Sequence, residues 1–176
     1  VAIKYPFIED ILRLYAANSS RVLDIGAGTG IYESAFKAGS YSGVDIEVSA
    51  NKNVFQASAK NMPFDSNSFD LAFGVASIYL VGPECLREIH RVLKSGGTFA
   101  LFEYRRSVLK NLRDAAGLNH VTWSPRQLRR ELSQAKFIRI RRLSHRPSMK
   151  SFYLQPIAAL KLTLKGSWVI FICAKK

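Results

Sequence analysis

Acidic side chains are scarce in this chain of 176 residues, 13 against 26 lysines and arginines, for a formal net charge of +13. The deficit is local. Residues 1–104 carry 11 acids and 9 bases, whereas residues 105–176 carry 2 acids and 17 bases. A near-neutral front is thus followed by a strongly basic back, and such asymmetry points to an anionic partner. There are only two cysteines. Cys85 and Cys173 lie far apart and lack metal-ligand spacing, so neither a disulfide framework nor a metal site is expected, and both read as small buried residues. No apolar run reaches the ~18 residues of a membrane-spanning helix, and no signal-peptide pattern opens the chain; the expected location is cytoplasmic. Repeats and low-complexity segments are missing too. A hydrophobic content of 48% with 22% charged residues is the composition of a globular chain, and the length fits one domain over residues 1–176 with a sizeable core.

Against that background one stretch stands out: Arg21-Val22-Leu23-Asp24-Ile25-Gly26-Ala27-Gly28-Thr29-Gly30. Val22, Leu23 and Ile25 form a short apolar run, as in a strand buried on both faces, and three alternate glycines end it. Helix-like spacing over residues 31–37 follows, so the pattern is strand, glycine turn, helix. Glycines there allow positive φ and let a ligand approach the main chain. A dinucleotide turn needs G-x-G-x-x-G, but the sixth position counted from Gly26 is Ile31, which weakens that reading. Asp24, two residues before the first glycine, can instead accept hydrogen bonds from a cationic amino group.

The motif Asp-x-Gly-x-Gly-Thr-Gly resembles motif I of the class I S-adenosylmethionine-dependent methyltransferases. Two further stretches agree. Residues 57–70 are similar to the family segment leading into the fourth strand, with Pro63-Phe64 and Phe69-Asp70 in place. The family aspartate that reaches the adenine amino group is replaced here by Ser58, a weaker acceptor, which shifts the implied adenine contact to the main chain near Ala59. Residues 86–97, Leu-Arg-Glu-Ile-His-Arg-Val-Leu-Lys-Ser-Gly-Gly, look like the type 11 branch of the family, with Ser95 where proline is usual.

The short second strand, residues 41–46, ends in an acid, and a carboxylate there can hold both hydroxyls of a ribose. The resemblance assigns this role to Asp45. Glu47 is its rival, and a helix N-cap is the plain alternative for Asp45. The cofactor implied is S-adenosyl-L-methionine, leaving as S-adenosyl-L-homocysteine. Its implied seat comprises Asp24, Gly26, Ala27, Gly28 and Gly30 of the glycine stretch, Asp45 and Ile46 at the second strand, Ser58 and Ala59 after the third, and Ala76 after the fourth. Tyr79 is the candidate catalytic residue, orienting an acceptor or shaping the methyl channel, unless it merely closes the core.

Elsewhere the periodicity predicts an N-terminal helix over residues 5–17, which the resemblance places against the cofactor cleft. Strands are expected over residues 53–57, 71–75, 98–103, 137–143 and 167–173, and helices over residues 83–93 and 124–132, the last capped by Ser124 with Pro125 at N1. His90 reads as a partly exposed helix residue rather than a base. The resulting fold class is α/β: a doubly wound, Rossmann-like seven-stranded sheet, parallel except for an antiparallel last strand, with helices on both faces.

Residues 1–104 then form the cofactor half and residues 105–176 the basic acceptor half. The expected activity is methyl transfer to a small or lipid-like anionic acceptor. The alternatives are a nucleic-acid substrate, held by Arg and Lys on phosphates with Trp123, Phe152 or Tyr153 stacking on bases, peripheral contact of residues 152–164 with a membrane, and a module that binds the cofactor without catalysis. His120 and His145 are further candidates for a base. The sequence leaves the oligomeric state open.

Overall fold

The computed structural model describes residues 4–16, 21–104, 123–143 and 168–176. In it, β1 (Val22–Ile25), β2 (Tyr41–Asp45), β3 (Val54–Gln56), β4 (Phe69–Val75), β5 (Leu93–Tyr104), β6 (Phe137–Leu143) and β7 (Trp168–Lys175) form one sheet in the order β3-β2-β1-β4-β5-β7-β6. β7 is inserted between β5 and β6 and runs antiparallel to both, while the other neighbours pair in parallel.

Every residue of β1 is buried, because β2 and β4 flank it and both faces are covered. Side chains alternate along a strand, so Val22 and Asp24 face one layer and Leu23 and Ile25 the other. On the first face α1 (Pro6–Ala16) buries Phe7, Ile8 and Leu12. The rings of Tyr5 and Phe7 meet Trp168 with centroids 4.9 and 5.9 Å apart. On the second face α3 (Cys85–Val92) and α4 (Pro125–Gln134) bury Leu86, Ile89, Val92, Leu128 and Leu132 among Phe99, Phe171 and Ile25. Each such side chain contributes about 1.5–3 kcal/mol when removed from water. α4 begins as its sequence predicts: the Ser124 hydroxyl accepts from the Gln127 amide at 3.2 Å, and the Gln127 side chain accepts from the Ser124 amide at 2.9 Å.

Three elements differ from expectation. Residues 31–37 do not form an α-helix; turns lead into a single 3-10 turn, Glu33–Ala35. A segment this short gains little from helix propagation, and its side chains are anchored elsewhere. Tyr32 and Phe36 pack on Phe73, and the Glu33 carboxylate accepts from the side-chain amides of Asn51 and Asn53 at 2.7 and 2.6 Å. Next, a one-turn helix, α2 (Ile78–Val81), precedes α3 and is separated from it by Gly82, whose φ of +92° ends the turn. Finally, α1 lies on the sheet face beneath Trp168 and contributes no residue to the cleft described below.

Cys85 and Cys173 are free and buried. Among the described residues no helix is long and apolar enough to cross a membrane. His120, His145, Phe152 and Tyr153, and the stretch 152–164, lie outside the described residues.

Candidate functional site

From β1 the chain winds outward through β2 to β3, then returns to place β4 on the other side of β1. Strand order therefore reverses between β1 and β4, and open α/β sheets bind ligands in the crevice beyond the strand ends at such a point. The glycine turn stands there. The Gly26 and Ala27 amides donate to the Val44 carbonyl at 2.9 and 3.0 Å, folding the turn over the tip of β2. Gly26, Gly28 and Gly30 have φ of +71°, +53° and +74°. A Cβ at Gly26 would stand 2.6 Å from the Ser77 Cβ, so that position is closed to any side chain; one at Gly28 would meet nothing within 4 Å, so the tip of the turn is open.

Asp45 ends β2 beside this turn. Its Oδ2 accepts from the Gly28 amide at 2.8 Å and its Oδ1 from the Glu47 amide at 3.0 Å. No helix begins at Asp45, so it is not an N-cap; the two amides fix its carboxylate at the cleft edge with lone pairs to spare. The Glu47 side chain is exposed and does not line the cleft.

The cleft encloses about 350 Å³, within the range of small-molecule sites. Of the residues the sequence singled out, Gly26, Asp45, Ile46, Ser58, Ala59 and Ala76 line it. Ser77, Lys60, Leu80 and Val81 also line it and were not foreseen. Ala76, at the end of β4, holds φ of +51° without being glycine, a conformation that costs about 1–2 kcal/mol and that persists where surrounding structure imposes it. Its amide donates to the Phe102 carbonyl at 2.8 Å.

Asp24 does not face the cleft. The alternation of β1 turns it into the α1 layer, where it is 2% exposed and its Oδ2 accepts from the Tyr41 hydroxyl at 2.8 Å. Burial pushes its pKa up to about 7, against the Tyr41 hydrogen bond and with a further rise from the nearby Asp45 charge. Ala27 is buried behind the turn, its Cβ filling the space above Gly43. Gly28 and Gly30 shape the loop rather than line the cavity.

Tyr79, on α2, is half-buried and is not among the lining residues. Desolvation, with the Glu103 charge second, raises the pKa of its phenol. Desolvation thus favours the protonated phenol, and a neutral hydroxyl can orient a partner. His90 lies away from the cleft, half-buried, with its ring 5.3 Å from Phe137. Glu103, near the end of β5, was not foreseen. It is 3% exposed, its Oε1 accepts from the Ile78 amide at 2.8 Å, and the Tyr79 and Ser77 amides also act on its carboxylate. Burial outweighs these amides and pushes its pKa up to about 8.

The lining residues fit a nucleoside ligand. A fixed carboxylate beside the glycine turn suits vicinal hydroxyls, and the small side chains of Ala57, Ser58 and Ala59 leave room for a flat ring. Sheet order, switch-point cleft and acid-tipped β2 together define the class I, Rossmann-like methyltransferase fold. Residues 23–101, the stretch that builds the cleft, match the family described as a methyltransferase domain. Among curated proteins the chain is similar to the ubiquinone/menaquinone biosynthesis C-methyltransferase UbiE of Pseudomonas fluorescens (strain Pf0-1), 32% identical over 143 aligned residues that cover 60% of this chain and 56% of the relative. The chain thus spans little more than half the length of that relative. Among solved structures it resembles an S-adenosylmethionine-dependent methyltransferase of Thermotoga maritima, with a TM-score of 0.71 and 20% identity over 96% of this chain and 87% of that one. It also resembles the geranyl diphosphate C-methyltransferase of Streptomyces coelicolor A3(2), with a TM-score of 0.69 and 15% identity over 96% and 76% of the two chains.

Proposed function

We propose that this chain binds S-adenosylmethionine in the cleft and transfers its methyl group to a small or lipid-like acceptor, with carbon methylation of a quinone-type ring as the specific reading. The observation that carries the cofactor assignment is the Asp45 carboxylate held by the Gly28 amide at the cleft edge. Asp45 takes the ribose hydroxyls, Ile46 and Ala59 flank the adenine, Ser58 offers it a weak acceptor, and Gly26 and Ala76 bring main chain against the rest of the ligand. Asp24 acts from behind the turn. The acceptor reading draws on the UbiE relatives, whose names state C-methylation in ubiquinone and menaquinone biosynthesis.

S-adenosylmethionine supplies an activated methyl group whose transfer is an in-line displacement that discharges the sulfonium. The protein's own work is to hold the two reactants aligned and to exclude water. The exposed apolar side chain of Leu80 at the cleft supports an apolar acceptor. Exposed Arg126, Arg129, Arg141 and Arg142 on α4 and β6 support an anionic group on the acceptor or on a second partner. Incubation with methyl-labelled cofactor and a short-chain prenylated hydroquinone tests the reaction: label in the organic phase is expected. Label that appears only in a nuclease-sensitive fraction of lysate selects the nucleic-acid reading, and cofactor binding without label in any fraction selects a non-catalytic module.

A further inference from the structure

Residues 123–143 hold six arginines, one lysine and one acid, and all seven bases are exposed. The acid, Glu131, is taken by Arg130 at 3.1 Å. Arg126 sits in the first turn of α4, where the helix dipole disfavours a cation, and no acid in that turn offsets it. On β6 the register slips between Ile138 and Arg141, with Arg139 at φ of +52°, a bulge that bends the edge strand. Beyond it Arg141 and Arg142 flank the strand on opposite faces, both exposed. Charge and a bulge guard an edge strand against pairing with another sheet. That role does not account for the bases on α4.

Strand direction relates these groups to the cleft. β6 is antiparallel to β7, which is antiparallel to β5, so β6 ends where β1, β2 and β4 end. α4 reaches β6 through Ala135 and Lys136 alone, so it runs back along that strand and starts at the same end. Arg126, Arg141 and Arg142 therefore stand at the end of the sheet where the cleft opens, three strand spacings or about 14 Å from β4. Val48, 79% exposed, follows β2 at this end, and Leu80, 59% exposed, follows β4 and lines the cleft. Aliphatic side chains about the cleft with arginines beside them match a bilayer surface, where the first enter the headgroup boundary and the second meet lipid phosphates. Nucleic acid asks instead for rings on which bases stack. The rings of residues 123–143, Trp123 and Phe137, are packed against the core.

We propose that the cleft end of the molecule, with Arg126, Arg141 and Arg142 beside it, docks on an anionic phospholipid surface and so presents the cleft to an acceptor held in the lipid. The proposal rests on the reading of a lipid-like acceptor. Co-sedimentation of the chain with phosphatidylcholine vesicles, with and without phosphatidylglycerol, tests it. Binding is expected only where phosphatidylglycerol is present, and it falls as salt rises. The triple variant Arg126→Gln, Arg141→Gln, Arg142→Gln is expected to weaken binding at least about tenfold, and Val48→Glu at least about threefold. Lys37 and Lys52 precede β2 and β3 and Lys176 follows β7, all exposed at the opposite end of the sheet. The control Lys37→Gln, Lys52→Gln, Lys176→Gln removes the same charge and is expected to stay within about twofold. Circular dichroism shows whether each variant is folded. No binding to anionic vesicles, equal losses in the triple variant and the control, or unchanged binding by folded Val48→Glu overturns the proposal. A single-stranded RNA oligomer bound more tightly than the vesicles, and released by the triple variant, also overturns it and makes nucleic acid the partner. Label transferred to the prenylated hydroquinone in detergent micelles, without vesicle binding, overturns the docking face alone and leaves the proposed reaction standing.

Discussion

The Gly28 amide and the Asp45 carboxylate meet at 2.8 Å, tying the glycine turn that follows β1 to the last residue of the neighbouring parallel strand β2. The bond makes one rigid edge out of two loops, and it leaves the carboxylate aimed by main chain rather than by other side chains. The open tip at Gly28 and the closed position at Gly26 complete that edge.

Asp24 and Glu103 are both buried acids whose pKa is raised from 3.8 to about 7 and from 4.5 to about 8. A raised folded-state pKa means that the native state holds a proton the unfolded chain gives up. Their contribution to stability is therefore complete below the ordinary carboxylate range and is lost as pH rises through about 7 and 8. Within that window each group lowers stability by up to about 1.4 kcal/mol per pH unit. Urea unfolding between about pH 5 and pH 8 is expected to show a falling free energy, with a shallower fall in Asp24→Asn. A stability that is flat or rising over this interval contradicts the assignment of both groups as neutral acids.

Glu103 holds the start of α2. Glu103→Gln keeps an oxygen for the Ile78 amide and is expected to cost less than about 1 kcal/mol at neutral pH, whereas Glu103→Leu leaves buried amides without an acceptor and is expected to cost about 1–3 kcal/mol. Equal unfolding midpoints for the two variants would show that the carboxyl does not carry this turn.

Lys136 follows the end of α4 with φ of +68°, and its amide donates to the Ser133 carbonyl at 3.0 Å. Glycine is the ordinary residue at such a helix end. Lys136→Gly is expected to stabilise the protein by about 0.5–1 kcal/mol in thermal or urea unfolding, since relief of left-handed strain exceeds the added freedom of the unfolded chain. A loss of stability would mean that the lysine side chain contributes more than its backbone conformation costs.

How far the site could be read from sequence follows from the range of each signal. The apolar run of β1 and the glycines after it are local, and so are Ser124 with Pro125 at the start of α4; periodicity and turn chemistry suffice for both. The acid at the end of β2 is equally plain. Asp24 misleads because motif spacing gives its distance from the turn but not its face, and the alternation of β1 sends it to Tyr41. The helix expected over residues 31–37 yields to anchors on Phe73, Asn51 and Asn53, which no window of that length contains. Glu103 is missed because it meets the Ile78 amide from a part of the chain 25 residues away, beyond the reach of any local pattern.

The most direct test of the account is calorimetric titration of S-adenosylmethionine into the unaltered chain and into Asp45→Ala, with circular dichroism to confirm that the variant is folded. Saturable binding at one equivalent is expected for the unaltered chain. In Asp45→Ala the affinity is expected to fall at least about tenfold, in keeping with the loss of hydrogen bonds to a charged group. A folded Asp45→Ala variant that binds as tightly as the unaltered chain contradicts the account.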